Sequence, residues 1–117
     1  MNKRDNHKIL NNQFRDKVRQ ELSSFRSEVL QKNPEAIYDR AYQIVTMNEI
    51  VRYLGNMRHS SRELVVLLTI QHLLDEIYEV WLGSSYLRLE DIEQTILEFK
   101  NYILQTKYVD VQKEKIE

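Results

Sequence analysis

One segment of the chain, residues 61–82, is too apolar to form an ordinary surface helix. Thirteen of its 22 residues are apolar, and on a helical projection they cover more than one side. A surface helix needs an apolar stripe only about 100° wide, so a helix with this pattern must be covered on several sides. The segment therefore predicts either the central helix of a small bundle or a helix that contacts a second chain.

The composition favours helices over the whole chain. Only two Gly and one Pro occur in 117 residues, and strands joined by tight turns need more of both. The length fits one domain, residues 1–117, with residues 1–5 and 107–117 expected to be frayed. We therefore predict an all-α protein, a compact bundle of about five helices with residues 61–82 as the central apolar helix.

Two long helices are predicted by apolar residues that recur every three or four positions. In the first, from about residue 5 to residue 31, they are Phe14, Val18, Leu22, Phe25 and Val29. In the last, from about residue 86 to residue 106, they are Leu89, Ile92, Ile96, Phe99 and Ile103. The last series has the spacing of a left-handed helix pair.

Capping residues place the other helix ends. Asn33-Pro34-Glu35 is a strong start signal for a second helix. Residues 46–49 fit a capping box for a short helix that Gly55 would end in the left-handed conformation, the alternative being a kinked continuation of the second helix. Residues 60–63 form another capping box at the start of the apolar segment, and Gly83 ends that segment.

The sequence shows no catalytic, cofactor-binding or metal-binding pattern. Cysteine is absent, and the three histidines form no His-Glu-x-x-His pair. His72 shares a helical face with Asp75 and Glu76, but one such turn is common by chance. His59 precedes two serines that already serve as caps, so no nucleophile–base pair is indicated. We expect a protein that is not an enzyme.

The charge is distributed unevenly, which leaves a DNA-associated regulatory role as an alternative. Residues 1–33 carry a net charge of +4, residues 34–82 carry −3 and residues 83–117 carry −2. Residues 48–68 superficially resemble a helix-turn-helix, but the seven residues 55–61 between the helices exceed its usual turn. The basic first helix is the remaining reason to consider nucleic acid.

No segment predicts contact with a membrane. The longest apolar run, residues 64–68, is far shorter than the roughly 20 residues that span a bilayer. No secretory signal pattern occurs at the N-terminus, and the lack of cysteine is compatible with a reducing compartment. We expect a cytoplasmic protein.

Aromatic residues supply the candidate binding site. Seven tyrosines and one tryptophan exceed what a small core buries easily, and these residue types dominate protein–protein interfaces. The candidate interface is the corner around Gly83, formed by Tyr78, Trp81 and Tyr86 with Glu79 and Arg88 at its rim. The alternative is that Trp81 fills the bundle core, because it continues the apolar series 70, 73, 77. The leading functional prediction is a protein–protein interaction module that binds itself, as a homodimer, or another protein.

Two blocks of the chain resemble an uncharacterised family of small helical bacterial domains of unknown function, seen chiefly in Firmicutes. The first block is PEAIYDRAYQIVTMNEIVRYL, residues 34–54, and the second is LLDEIYEVWLGSSYLRLEDIEQTI, residues 73–96. The resemblance implies a helical domain of bacterial or mobile-element origin and no catalytic activity. It also implies a break before the second block, where this chain has TIQHLL, so residues 61–82 form either one helix or two.

Overall fold

Six α-helices make up the part of the chain that the structure describes, residues 2–84 and 88–116 without the side chains of 39 and 107–116. The structure is a computed structural model. In chain order the helices are α1 (Lys3–Leu30), α2 (Pro34–Asp39), α3 (Ala41–Asn56), α4 (Ser61–Thr69), α5 (Leu73–Leu82) and α6 (Ile92–Ile116). A single 3-10 turn, Leu89–Asp91, precedes α6. No strand occurs in these residues, so the predicted all-α class is confirmed.

Helix α1 forms because one apolar stripe recurs at helical spacing along a sequence without Gly or Pro. The side chain of Asn2 caps it by accepting a hydrogen bond from the Asp5 N–H at 2.8 Å. Four residues of the predicted stripe are buried and Leu22 is half-buried. The predicted packing face of the first helix is therefore confirmed.

The next two helices meet at Arg40 rather than at residue 46. Asn33 caps α2 as predicted, with its side chain accepting from the Ala36 N–H at 2.9 Å. Thr46 lies buried inside α3, where its hydroxyl donates to the Tyr42 carbonyl at 2.9 Å, so the predicted capping box at 46–49 is wrong. Gly55 is also inside α3 and has no positive φ, so the predicted left-handed end is wrong too.

The apolar segment 61–82 forms two helices, α4 and α5, separated by residues 70–72. Ser60 and Glu63 form the predicted capping box, with hydrogen bonds of 3.1 and 2.8 Å. Helix α4 packs mainly on α1 and α6, whereas α5 packs on α3, α6 and α1. Of the two alternatives for this segment, one helix or two, the structure has two, and the broad apolar pattern is explained by two helices with different neighbours.

Side chains of α1 stabilise this break from outside. The Leu74 N–H, in the first turn of α5, donates to the Glu21 carboxylate at 2.8 Å. Lys17 pairs with Glu21 at 2.8 Å and donates to the Gln71 carbonyl at 3.4 Å. Backbone groups that a continuous helix would pair internally are thus satisfied by α1.

Helix α6 closes the core against α3, α4 and α5. Ile92, Ile96, Phe99 and Ile103 of its predicted series are buried, whereas Leu89 lies in the 3-10 turn and is 37% exposed. The α6 helix extends to Ile116, beyond the predicted end, and the predicted start at residue 86 lies outside the described residues. Gly83 follows the last residue of α5, as predicted.

Candidate interaction surface

Trp81 lies under the corner that the sequence singles out. Its side chain is completely buried, because it follows Leu74 and Ile77 on the core face of α5. The indole N–H donates to the Arg88 carbonyl at 3.2 Å, so its polar end is also satisfied. Of the two interpretations of Trp81, the structure agrees with the core residue.

Two tyrosines cover Trp81 from the solvent side. The ring centroid of Tyr42, on α3, is 5.6 Å from that of Trp81, and the centroid of Tyr78, on α5, is 6.1 Å away. Tyr42 is 51% exposed and Tyr78 is half-buried. The rings are tilted by 30° and 35° to the indole, and aromatic rings at these separations attract each other, so contact with Trp81 favours the observed positions of both tyrosines.

Apolar side chains extend this pair of rings along both helices. Val45, one turn after Tyr42, is 49% exposed, and Leu82, one turn after Tyr78, is 39% exposed. We call Tyr42, Val45, Tyr78 and Leu82 the aromatic surface. Single exposed apolar residues are ordinary, but four exposed or half-buried ones on two helices that pack together are a candidate binding site.

The charged residues of the predicted interface lie beside the aromatic surface. Glu79 is exposed and follows Tyr78 in α5. Arg88 is exposed and its guanidinium pairs with Glu90 at 3.5 Å. Tyr86, the remaining predicted member, lies outside the described residues. Whether this corner binds a partner stays a prediction.

The hydroxyl of Tyr78 keeps its proton at neutral pH. Burial raises the pKa of Tyr78, and the nearby carboxylate of Glu79 raises it further. The aromatic surface therefore presents a hydrogen-bond donor among apolar groups, which is a common composition for the centre of a protein interface.

Sequence reasoning did not find that Tyr42 belongs to this site. Tyr42 and Tyr78 are far apart in sequence and meet only because α3 packs on α5. A local signal existed in the spacing of Tyr38, Tyr42 and Val45, which forms a second stripe beside the core-facing one. Tyr38, on α2, is the most exposed of the large apolar side chains described, at 81%.

A buried polar network of His59, Lys100 and Glu63 was also not predicted from the sequence. The ring of His59 donates from Nε2 to the Leu54 carbonyl at 2.8 Å and accepts at Nδ1 from Lys100, 3.1 Å away. Lys100 also pairs with Glu63 at 3.0 Å and donates to the Arg58 carbonyl at 3.3 Å. All three ammonium protons therefore have partners, and the network ties α6 to the start of α4.

The environment of the network shifts two pKa values. Burial lowers the pKa of His59, and the positive charge of Lys100 lowers it further. Burial alone would raise the pKa of Glu63, but hydrogen bonds from the Ser60 backbone and Lys100 outweigh it, so that pKa is lowered. The network is most favourable with His59 neutral and Glu63 ionised. With every partner satisfied, we interpret it as a structural tie.

The other sequence candidates form no reactive arrangement in the described residues. Ser60 caps α4, and the hydroxyl of Ser61 lies 2.9 Å from Nδ1 of His7 rather than near His59. His72 is the exposed residue before α5. Over residues 2–84 and 88–116, no group of three or more His, Asp or Glu side chains is arranged to hold a metal ion.

No protein-family model, curated protein or solved structure matches the chain. Within the described residues, none of the helices combines the length and the apolar character needed to cross a bilayer.

Proposed function

We propose that the chain is a non-enzymatic protein–protein interaction module that forms a homodimer through the aromatic surface. The observation that carries this proposal is the pair Tyr42 and Tyr78, which are partly exposed and pack against the fully buried ring of Trp81. Interface hot spots are enriched in aromatic side chains that are already held in position, because little conformational entropy is lost when they bind.

A second copy of the chain is the partner that the surrounding charges favour. The four side chains of the aromatic surface are uncharged, so two copies can meet there without repulsion. Glu79 and Arg88 lie at its rim and have opposite signs. In the dimer that we propose, the two-fold axis lies so that Glu79 of each copy faces Arg88 of the other, and these two contacts make the surface self-complementary.

Mass measurement tests the proposal with a matched pair of variants. At about 100 µM, wild type should have the mass of a dimer by light scattering coupled to size exclusion. Tyr42→Arg should weaken the dimer at least about 100-fold, because the change removes an anchor from both copies and adds two charges. Tyr102→Arg is the control, since Tyr102 is 62% exposed on α6, outside the aromatic surface.

Two results would contradict the proposal. One is a monomeric wild type at that concentration, because the aromatic surface could then bind only a different protein. The other is equal weakening by Tyr42→Arg and Tyr102→Arg, which would show that the aromatic surface is not the contact. We also propose that the protein is bacterial and located in the cytoplasm, and fractionation of cells tests the location.

A further inference from the structure

Five basic side chains lie along one flank of α1, which we call the basic flank. All are exposed, and they are Arg4, Lys8, Arg15, Arg19 and Arg26. Because their spacings alternate between four and seven residues, a helix turning about 100° per residue holds them within a sector about 60° wide. The one other residue in that sector is Leu22, so no carboxylate interrupts it. At about 1.5 Å per residue the basic flank is about 33 Å long.

The positive charge of the basic flank is not neutralised by the described residues. The ion pairs that α1 makes, Lys17–Glu21 and Glu28–Arg40, involve its opposite flank. None of the five basic side chains belongs to an ion pair in the described part of the chain. Arg26 does have a partner, but it is the neutral side chain of Asn48, at 2.7 Å.

Helix α3 forms a groove with the basic flank. A cavity of about 410 Å³ has Arg15 and Arg19 on one wall and Arg52 and Asn56 on the other. An adjoining cavity of about 560 Å³ shares Arg15 and Asn56 and adds Arg58. Arg52 is paired with Glu49, yet no Asp or Glu lines either cavity. An anion in this groove would therefore meet the unpaired charges of Arg15 and Arg19 on α1, whereas Arg52 on α3 shares its charge with Glu49.

The negative charge of the chain is concentrated on other helices. Residues 73–98, which include α5 and the start of α6, carry seven Asp or Glu and one Arg. The net charge of −1 is therefore the sum of acidic helices and a positively charged flank on α1. Local charge of this kind, rather than net charge, decides whether a phosphate backbone is attracted.

We propose that the basic flank and its groove bind the phosphate backbone of duplex DNA without reading the base sequence. The length of the flank corresponds to about one turn of B-DNA, about 34 Å. Within the flank itself there is no Asn or Gln to form bidentate hydrogen bonds with adenine edges. Arginine can contact guanine as well as phosphate, so equal affinity for duplexes of different sequence is the result expected of contacts to phosphates alone. This binding does not involve the aromatic surface, so the two proposals succeed or fail separately.

Fluorescence anisotropy with a labelled mixed-sequence duplex of about 24 base pairs tests the binding. We expect a Kd on the order of 1–100 µM at about 50 mM salt. With five phosphates engaged, log Kd against log salt should have a slope of about 4.5, and Arg15→Gln/Arg19→Gln should reduce that slope to about 2.7. Lys3→Gln/Lys32→Gln removes the same charge from outside the basic flank and should leave the slope unchanged.

Gly55 offers a second test that adds charge without disturbing the fold. A β-carbon at Gly55, which lines the groove, would meet no atom within 4 Å. Gly55→Gln should melt no lower than wild type, because it replaces a glycine within a helix, and Gly55→Glu should melt slightly lower than Gly55→Gln, because a carboxylate is unfavourable in the last turn of a helix. The Glu variant should bind the duplex at least about tenfold more weakly than the Gln variant, which has the same shape and no charge.

Three results would overturn the inference. One is no binding of the duplex at about 20 mM salt and about 100 µM protein. Another is an equal loss of binding in the Arg15/Arg19 and Lys3/Lys32 variants, since the basic flank would then have no special role. The third is a change of oligomeric mass in the Arg15/Arg19 variant without DNA, which would identify the occupant as the acidic face of another copy.

Discussion

Replacing Lys100 by Met should destabilise the fold strongly, although it removes only one charge. Lys100 is 4% exposed and supplies hydrogen bonds to Glu63, to Nδ1 of His59 and to the Arg58 carbonyl. The substitution preserves most of the apolar stem but leaves these three acceptors without their donor. The effect therefore reports on the ammonium group rather than on packing.

The size of the effect follows from what remains in place. Removing one partner of a buried ion pair costs about 3–5 kcal/mol, and each unsatisfied buried acceptor costs about 1–3 kcal/mol. Glu63 keeps its hydrogen bond from the Ser60 N–H, and Arg58 is exposed, so water replaces part of the loss. We expect the free energy of unfolding to fall by about 2–4 kcal/mol, out of a total of about 6–18 kcal/mol for a chain of this length.

Urea unfolding at pH 7, followed by circular dichroism, measures this change. Lys8→Met is the matched control, because Lys8 is exposed, and it should change the free energy of unfolding by less than about 0.5 kcal/mol. Adding Glu63→Gln to Lys100→Met should recover part of the loss. The buried carboxylate charge is then removed, while the side-chain carbonyl of Gln can still accept the hydrogen bond from the Ser60 N–H. A Lys100→Met variant as stable as Lys8→Met would refute the account of the network.

Three further predictions concern pH, the helix break and the tryptophan. Because folding lowers the pKa of His59, its contribution to the free energy of unfolding should be fully present above about pH 6.5 and be lost as the pH falls through the folded pKa. Glu63, whose pKa is also lowered, should add a further loss below about pH 4.5. In urea unfolding, His59→Gln should remove the first of these two decreases from the pH profile of the midpoint. Glu21→Ala should lower the free energy of unfolding by about 1–2 kcal/mol, since Glu21 accepts a backbone N–H of α5, whereas Glu28→Ala, exposed on the same helix, should change it by less than about 0.5 kcal/mol; equal effects in urea unfolding would contradict the proposed cap. Trp81 emission should be blue-shifted and resist iodide quenching even at low protein concentration, and emission like that of free indole would contradict its burial.

The parts of the fold that were predicted correctly are those whose causes are local in sequence. The cap at Asn33 and the capping box of Ser60 and Glu63 each join residues three positions apart. The apolar stripes of α1 and α6 likewise follow from helical periodicity alone.

The helix break, which the sequence left open, and the capping box at 46–49, which was predicted wrongly, have different causes, one distant in sequence and one local. The break between α4 and α5 is stabilised by Glu21 and Lys17, about fifty residues earlier in the chain. Thr46 has the right spacing from Glu49 for a capping box, but α3 is already helical before it and the hydroxyl bonds within the helix. A single-sequence pattern contains neither piece of information.

In the candidate site, too, some features follow from spacing along one helix and others depend on how the helices pack. Tyr78 and Trp81 are adjacent, as their spacing of three residues on one helix predicts. The burial of Trp81 and its contact with the third ring, Tyr42, depend on the packing of α3 on α5, which helical spacing does not specify. The same holds for Lys100, whose burial depends on the position of α4 relative to α6.

Mixing two charge-reversed variants tests most directly whether the aromatic surface is a two-fold contact between copies. Glu79→Arg alone would place Arg opposite Arg twice in a dimer, and Arg88→Glu alone would place Glu opposite Glu twice. Each variant should therefore dimerise about 30-fold more weakly than wild type at low salt, a change of about 2 kcal/mol.

In a mixture of equal parts, both contacts of the mixed dimer pair Arg with Glu. The account predicts that each variant alone sediments as a monomer at a concentration where wild type is a dimer, and that the mixture sediments as a dimer. A mixture that stays monomeric, or single variants that dimerise as well as wild type, would contradict it.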